Sequence, residues 1–299
     1  MTSTSYLLER AWVAGAVRDD VLVTIEDSRF TSVTPDWQFV RFSAVATAEK
    51  RRNPRLTGDF DRIPGLTLPG LANSHSHAFH RVLRGRTQRE RGTFWTWREQ
   101  MYAVAARLDP DSYHRLARAV FGEMVASGIT SVGEFHYLHH QPDGAPYDDP
   151  HAMGHAVVSA AREAGIRIAL LDTCYLAAGF GEPAAGVQRR FDDGDAERWA
   201  ARVEGLAGLE TGDDVVVGAA LHSVRAVPAE QMPTVADWAA RRGAPLHVHL
   251  SEQTAENDAC IAAYGATPTQ LLADHGVLGP MTSAVHATHL TADDIGHLG

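Results

Sequence analysis

Cysteine is scarce in this chain: Cys174 and Cys260 are the only two among 299 residues. They make no Cys-x-x-Cys and no paired framework, which excludes a disulfide scaffold and points to a reduced, cytoplasmic protein. No apolar run is long enough to span a membrane. The start, Met1-Thr2-Ser3-Thr4-Ser5, lacks a basic segment followed by an apolar stretch, so no signal peptide is expected. No Lys/Arg cluster reaches the size of a nucleic-acid footprint, so nucleic acid is not an expected partner, and without a spanning run neither is a membrane. The formal net charge of −10 favours solubility and specifies no substrate.

What is present is apolar material, 44% of the residues, enough for a large core. The length suits one barrel with a small appendage. Histidine is frequent, with sixteen residues, and many sit at the ends of apolar runs, so their placement carries more meaning than their number.

Residues 1–65 read as a small β module: Tyr6–Val13, Val21–Ile25 and Phe30–Val33 are short apolar or alternating segments with polar breaks. Thr47–Pro64 is polar, contains Pro54 and Gly58, and suits a loop or linker. From 66 to 299 the pattern becomes strand, then helix, repeated. Strands are expected at Leu66–His77, Ile129–Tyr137, Arg167–Leu176, Val215–Val224, Pro245–Leu250 and Ala284–Leu290. Helical spacing of Tyr113, Leu116, Val120, Met124 and Val125 predicts a helix over Asp111–Ser127, closed by Gly128. A second runs over His151–Ala164 with Gly165 after it. Such alternation argues for a parallel sheet covered by helices. The fold class is therefore α/β: a (β/α)8-type TIM barrel, cut short after about six β/α units, with a small N-terminal β module.

Chemistry gathers at the strand ends. His75 and His77 lie two apart at the end of the first barrel strand, so both imidazoles point to one face. Two neutral imidazoles on one face are half a site for a divalent metal. The fifth strand offers both His247 and His249, again two apart, and then Glu252. The sixth offers His286, and the fourth His222 and Arg225. In a parallel barrel, function sits at the C-terminal ends of the strands. Each residue also has a plain alternative: His249 as a core histidine, Glu252 as a cap on the following helix, His286 as packing. Four such coincidences on separate strands are less economical than one shared site.

His75-Ser76-His77-Ala78-Phe79, Phe94-Trp95-Thr96-Trp97-Arg98-Glu99, Gly133-Glu134-Phe135-His136-Tyr137, His249-Leu250-Ser251-Glu252 and Val285-His286-Ala287-Thr288-His289-Leu290 give the chain a specific likeness. It resembles the amidohydrolase superfamily in its deaminase branch, and within that branch the enzymes that deiminate N-formimidoyl-L-glutamate. The resemblance implies one divalent metal, zinc, held by His75, His77 and His249. It is the three-residue spacing to Glu252 that selects His249 over His247. It implies that Glu252 shuttles protons between water and the leaving nitrogen, and that His286 orients or polarises the water. It implies a small dicarboxylate substrate contacted by Arg98, Tyr137, His222 and Arg225, and a homodimer. His80 departs from the pattern, since many relatives carry glutamine there; both side chains can hydrogen-bond, so His80 is kept as a substrate contact.

The superfamily also uses a metal-binding aspartate on the eighth strand. By this reading the chain ends just after the sixth, so no residue is given that role. Asp293 and Asp294 open the last helix, and Asp172 sits mid-strand as a structural residue. The expectation is a fragment of a longer enzyme, or a barrel that another chain completes. Two alternatives stay open: a deaminase of an aromatic base or adenosine derivative, and a metal-binding chain without catalysis.

Overall fold

A computed structural model describes residues 3–37, 60–87 and 94–299. It contains two compact units, Met1–Gly70 and Leu71–Gly299, so the division falls at Gly70 rather than at 65.

In the first unit β1 (Ser3–Val13), β2 (Ala16–Glu26), β3 (Arg29–Thr34) and β4 (Asp61–Thr67) form one sheet in the order β3-β2-β1-β4. Leu8, Ala11, Val21 and Val23 make its small core. The loop expected over Thr47–Pro64 lies outside the described residues up to 59, and its end is not loop: Asp61–Pro64 begin β4. Pro64 fits because the pairing of β1 with β4 skips it. The register jumps from Leu8 opposite Ile63 to Arg10 opposite Leu66, and the Gly65 N–H in the bulge donates to Glu9 Oε2 at 2.7 Å. A proline without an N–H is tolerated at such an irregularity.

The strand expected over Leu66–His77 is in fact two. β4 ends at Thr67, and β5 (Leu71–Ser76) opens the second unit. Pro69-Gly70 separates them, a pair that interrupts a run whatever its hydropathy.

The second unit holds six parallel strands in chain order: β5, β6 (Ile129–His136), β7 (Arg167–Cys174), β10 (Val215–Leu221), β11 (Leu246–Leu250) and β12 (Thr282–His286). A two-stranded ribbon, β8 (Ala177–Gly179) and β9 (Glu182–Pro183), interrupts the series after β7. This is the strand order of a (β/α) barrel. β7 and β10 read as near-continuous apolar runs because parallel strands are covered on both faces. The longer helices are α1 (Phe94–Ala105), α2 (Pro110–Ala126), α3 (Ala152–Ala164), α4 (Ala196–Glu204), α5 (Met232–Arg242), α6 (Thr254–Tyr264), α7 (Pro268–Asp274) and α8 (Ala292–Leu298). α2 starts where Asp109 and Ser112 form a reciprocal capping box. α3 stops at Gly165, whose φ of 76° only glycine adopts without cost. Among the described residues no helix is long and apolar enough to cross a membrane.

The last strand differs from its expected span of Ala284–Leu290. β12 begins at Thr282 and ends at His286, because His286 (φ 70°) and Ala287 (φ 48°) turn the chain into the left-handed region. Residues 287–290 therefore leave the sheet.

Candidate active site

The site starts at the end of β5. His75 is in the strand, and His77 follows with φ −125° and ψ 91°, still extended, before a 3-10 turn over Ala78–Leu83. The two rings therefore stay on one side, and their Nε2 atoms lie 3.1 Å apart. β6 comes very close here. A Cβ on Gly133 would sit 2.7 Å from the Ser74 carbonyl oxygen, so only glycine permits this approach. The neighbouring Glu134 is fully buried and accepts the Ala78 N–H at 2.6 Å, with Ser76 and Tyr113 as further partners. Burial pushes its carboxyl up to about 8. Glu134 thus holds the Ala78 N–H and the Ser76 side chain on either side of His77, a role that needed the fold to be visible.

His249 on β11 completes a three-histidine group. Its Nε2 lies 3.2 Å from Nε2 of both His75 and His77. His77 Nδ1–H donates to the Phe135 carbonyl and His249 Nδ1–H to the His222 carbonyl, each at 3.0 Å. Those bonds fix the tautomer, so both Nε2 atoms present lone pairs. Burial holds His77 and His249 well below the ordinary imidazole range. Burial, with His286 and His247 nearby, pulls His75 down to about 4. His77 and His249 thus aim two lone pairs at one point beside His75 Nε2, an arrangement that a cation between the three rings satisfies. Nitrogens held ~2.0–2.1 Å from one tetrahedral zinc lie about 3.3 Å apart, close to the separations found. The group fits a divalent metal ion. His247 points to the same side of β11 but is not in the group, so the strand period alone could not have separated the two.

Glu252 and His286 flank the histidines. His286 stacks on the His249 ring with centroids 5.3 Å apart, and its Nε2 is 3.8 Å from Glu252 Oε2. Glu252 does not cap α6. Gln253 occupies that position without a side-chain cap bond, and Glu252 lines the cavity instead.

All ten residues proposed from sequence line one cavity of ≈ 220 Å³. His80 Nε2 is 2.7 Å from the Tyr137 hydroxyl, and burial pulls its imidazole down to about 3. Arg225 is held by the buried Glu256 at 3.3 Å. Glu256 also accepts the Glu252 backbone N–H, so it ties the ends of β10 and β11 together. Burial raises the Glu256 carboxyl and Arg225 opposes that rise. The Arg98 guanidinium lies 5.6 Å from the centre of the Tyr102 ring. Sequence reasoning missed Glu256 and also Trp97, Met101, Tyr102, Tyr175 and Phe191 in the cavity wall. Trp97 and Tyr102 carried a signal, since they share α1 with Arg98.

A second cluster, His136, His139 and Asp172, is wholly buried. Here the cation is already built in. Arg202 donates to both Asp172 oxygens, at 2.8 and 3.0 Å, and Trp199 Nε1–H donates to one of them at 3.1 Å. Asp172 is the counter-ion of an arginine.

Residues 66–298 match the amidohydrolase family model. The chain belongs to the amidohydrolase family. It is 39% identical to a formimidoylglutamate deiminase of Pseudomonas aeruginosa over 84% of this chain and 56% of that one. It is 29% identical to an 8-oxoguanine deaminase of the same species, over 80% of this chain and 52% of the relative. The chain thus spans about half the length of these relatives. Among solved structures, an amidohydrolase from Brucella melitensis superposes with a TM-score of 0.85 at 32% identity, covering 99% of this chain and 62% of its own. An atrazine chlorohydrolase from Arthrobacter aurescens, complexed with zinc, shares the fold with a TM-score of 0.80 at 23% identity, over 99% and 63%.

Proposed function

We propose that this chain carries the site of a zinc-dependent hydrolase that converts N-formimidoyl-L-glutamate and water to N-formyl-L-glutamate and ammonia. The observation that carries the reading is one cavity lined jointly by a three-histidine metal group, a carboxylate beside it and two arginines. The similarity to the Pseudomonas deiminase supports the substrate. When bound, the metal supplies Lewis acidity that makes hydroxide available near neutral pH. Glu252 takes a proton from the attacking water and returns it to the amidine nitrogen, which leaves as ammonia. His286, against His249 and near Glu252, orients that water. Arg98 and Arg225 bind the two carboxylates, and Glu256 sets the direction of Arg225; a planar fork suits bidentate contact with carboxylate. Tyr137, His80 and His222 close the wall around the formimidoyl group. The same reading puts the chain in histidine degradation, in the cytoplasm, as a homodimer.

The test is ammonia release from N-formimidoyl-L-glutamate by the zinc-loaded chain. Release is expected, with Glu252→Gln slower by ~100-fold or more, the usual weight of a general acid–base. No release from the wild-type chain overturns the reading. One observation favours a second: Trp97, Tyr102, Tyr137, Tyr175 and Phe191 line the cavity, and stacking rings suit an aromatic base. Ammonia released from 8-oxoguanine but not from N-formimidoyl-L-glutamate would establish that alternative.

A further inference from the structure

Behind the cavity wall, Gln188 makes a hydrogen-bond arrangement whose polarity is fixed. Gln188 is buried in the 3-10 turn Gly186–Arg190, and its Oε1 accepts the Ala185 N–H at 3.3 Å. A backbone N–H can only donate, so the amide orientation is set, with Nε2 toward the cavity. Nε2 then donates to Tyr175 Oη at 2.7 Å and to Tyr102 Oη at 3.2 Å. The two hydroxyls also bond to each other. Both tyrosines line the cavity, next to Arg225 and Arg98.

Counting protons gives the consequence. The amide contributes two and the phenols one each. Two amide protons go to the two oxygens, and one phenolic proton joins the oxygens. One phenolic proton has no taker inside the cluster, and the cavity is where it can go. We infer that Gln188 is a positioning residue that makes the Tyr102–Tyr175 pair a net donor to one substrate carboxylate, so that an acid is selected over its amide. This inference rests on the dicarboxylate reading above.

The experiment is calorimetric titration of the zinc-loaded chain at pH 8 with N-formyl-L-glutamate and with its two monoamides, N-formyl-L-glutamine and N-formyl-L-isoglutamine. Wild type is expected to bind the diacid at least ~10-fold more tightly than one of the amides, the usual weight of a hydrogen bond to a charged group. Gln188→Glu keeps the shape but accepts both phenolic protons. It is expected to weaken the diacid ~10-fold and to tighten that amide in absolute terms. Simple charge repulsion would weaken both ligands, since each monoamide still carries a negative charge. If Gln188→Glu does not fold, the Tyr102→Phe/Tyr175→Phe double variant replaces it and is expected to erase the preference. A wild type that prefers the diacid, with the preference kept in these variants or with all ligands weakened alike, overturns the inference and leaves the dicarboxylate reading standing. A wild type that binds diacid and amides equally overturns both.

Discussion

Two histidine clusters in this chain are alike in composition and opposite in electrostatics. His75, His77 and His249 bring three ring nitrogens to within 3.2 Å of one another, and among the described residues no cation of the protein's own is bonded to them. His136, His139 and Asp172 also bring three ligand atoms together, but Arg202 occupies both oxygens of the carboxylate. Nearness of ligand atoms is therefore a poor criterion. What separates a metal site from a structural ion pair is whether the lone pairs are already spoken for.

The sharpest way to break the comparison is to remove one member of each cluster. His249→Ala should lower zinc affinity by more than the ~10–100-fold typical of losing a residue that merely supports a ligand, measured by competition with a chromophoric chelator. Asp172→Asn should leave zinc affinity unchanged. It should cost about 3 kcal/mol in urea unfolding, because Arg202 stays buried with Asp193 as its remaining carboxylate. Equal zinc loss in both variants would erase the distinction.

A smaller effect is expected from Glu256→Gln, which leaves Arg225 without its buried counter-charge. KM should rise ~10-fold with kcat within about twofold, since the proposed role of the arginine is to bind substrate and not to react. A fall in kcat alone would place Glu256 in the chemistry.

The mildest test is acid. Burial alone would raise the Asp172 carboxyl, but Arg202 and the nearby histidines hold it at about 2 against an ordinary 3.8. A carboxylate with a depressed folded-state pKa contributes stability that is present above the unfolded value. That stability is lost as pH falls from 3.8 through about 2. Asp172→Asn should flatten this part of the stability profile; an unchanged slope would assign the acid sensitivity elsewhere.

The barrel and the His75–His77 pair were legible in sequence because both are written in short periods, whereas His249 joined the pair only through the family resemblance. Strand–helix alternation and the His-x-His step need only neighbouring residues to be seen. His247 and His249 mark the limit of that kind of reading: a period of two gives both the same face, and it took the spacing to Glu252 in the family resemblance to choose His249, which in the structure is the one that meets His75 and His77. Glu134, Glu256 and Gln188 were not legible. Each acts through a partner dozens of residues away in sequence, which no local pattern reveals. The division of Leu66–His77 was missed because hydropathy runs straight through Pro69-Gly70, while the backbone does not. The early end of β12 was missed because a positive φ at a histidine has no sequence signature.

That last feature has a consequence for anyone mutating the protein. At φ 70°, residue 286 occupies a backbone conformation in which glycine is at ease and histidine is not. A saturation library at this position should therefore sort in opposite directions under two selections. Screened for heat resistance, glycine should rise to the top; screened for turnover, it should fall to the bottom, so that a consensus built on robustness alone would erase the ring proposed to orient the water.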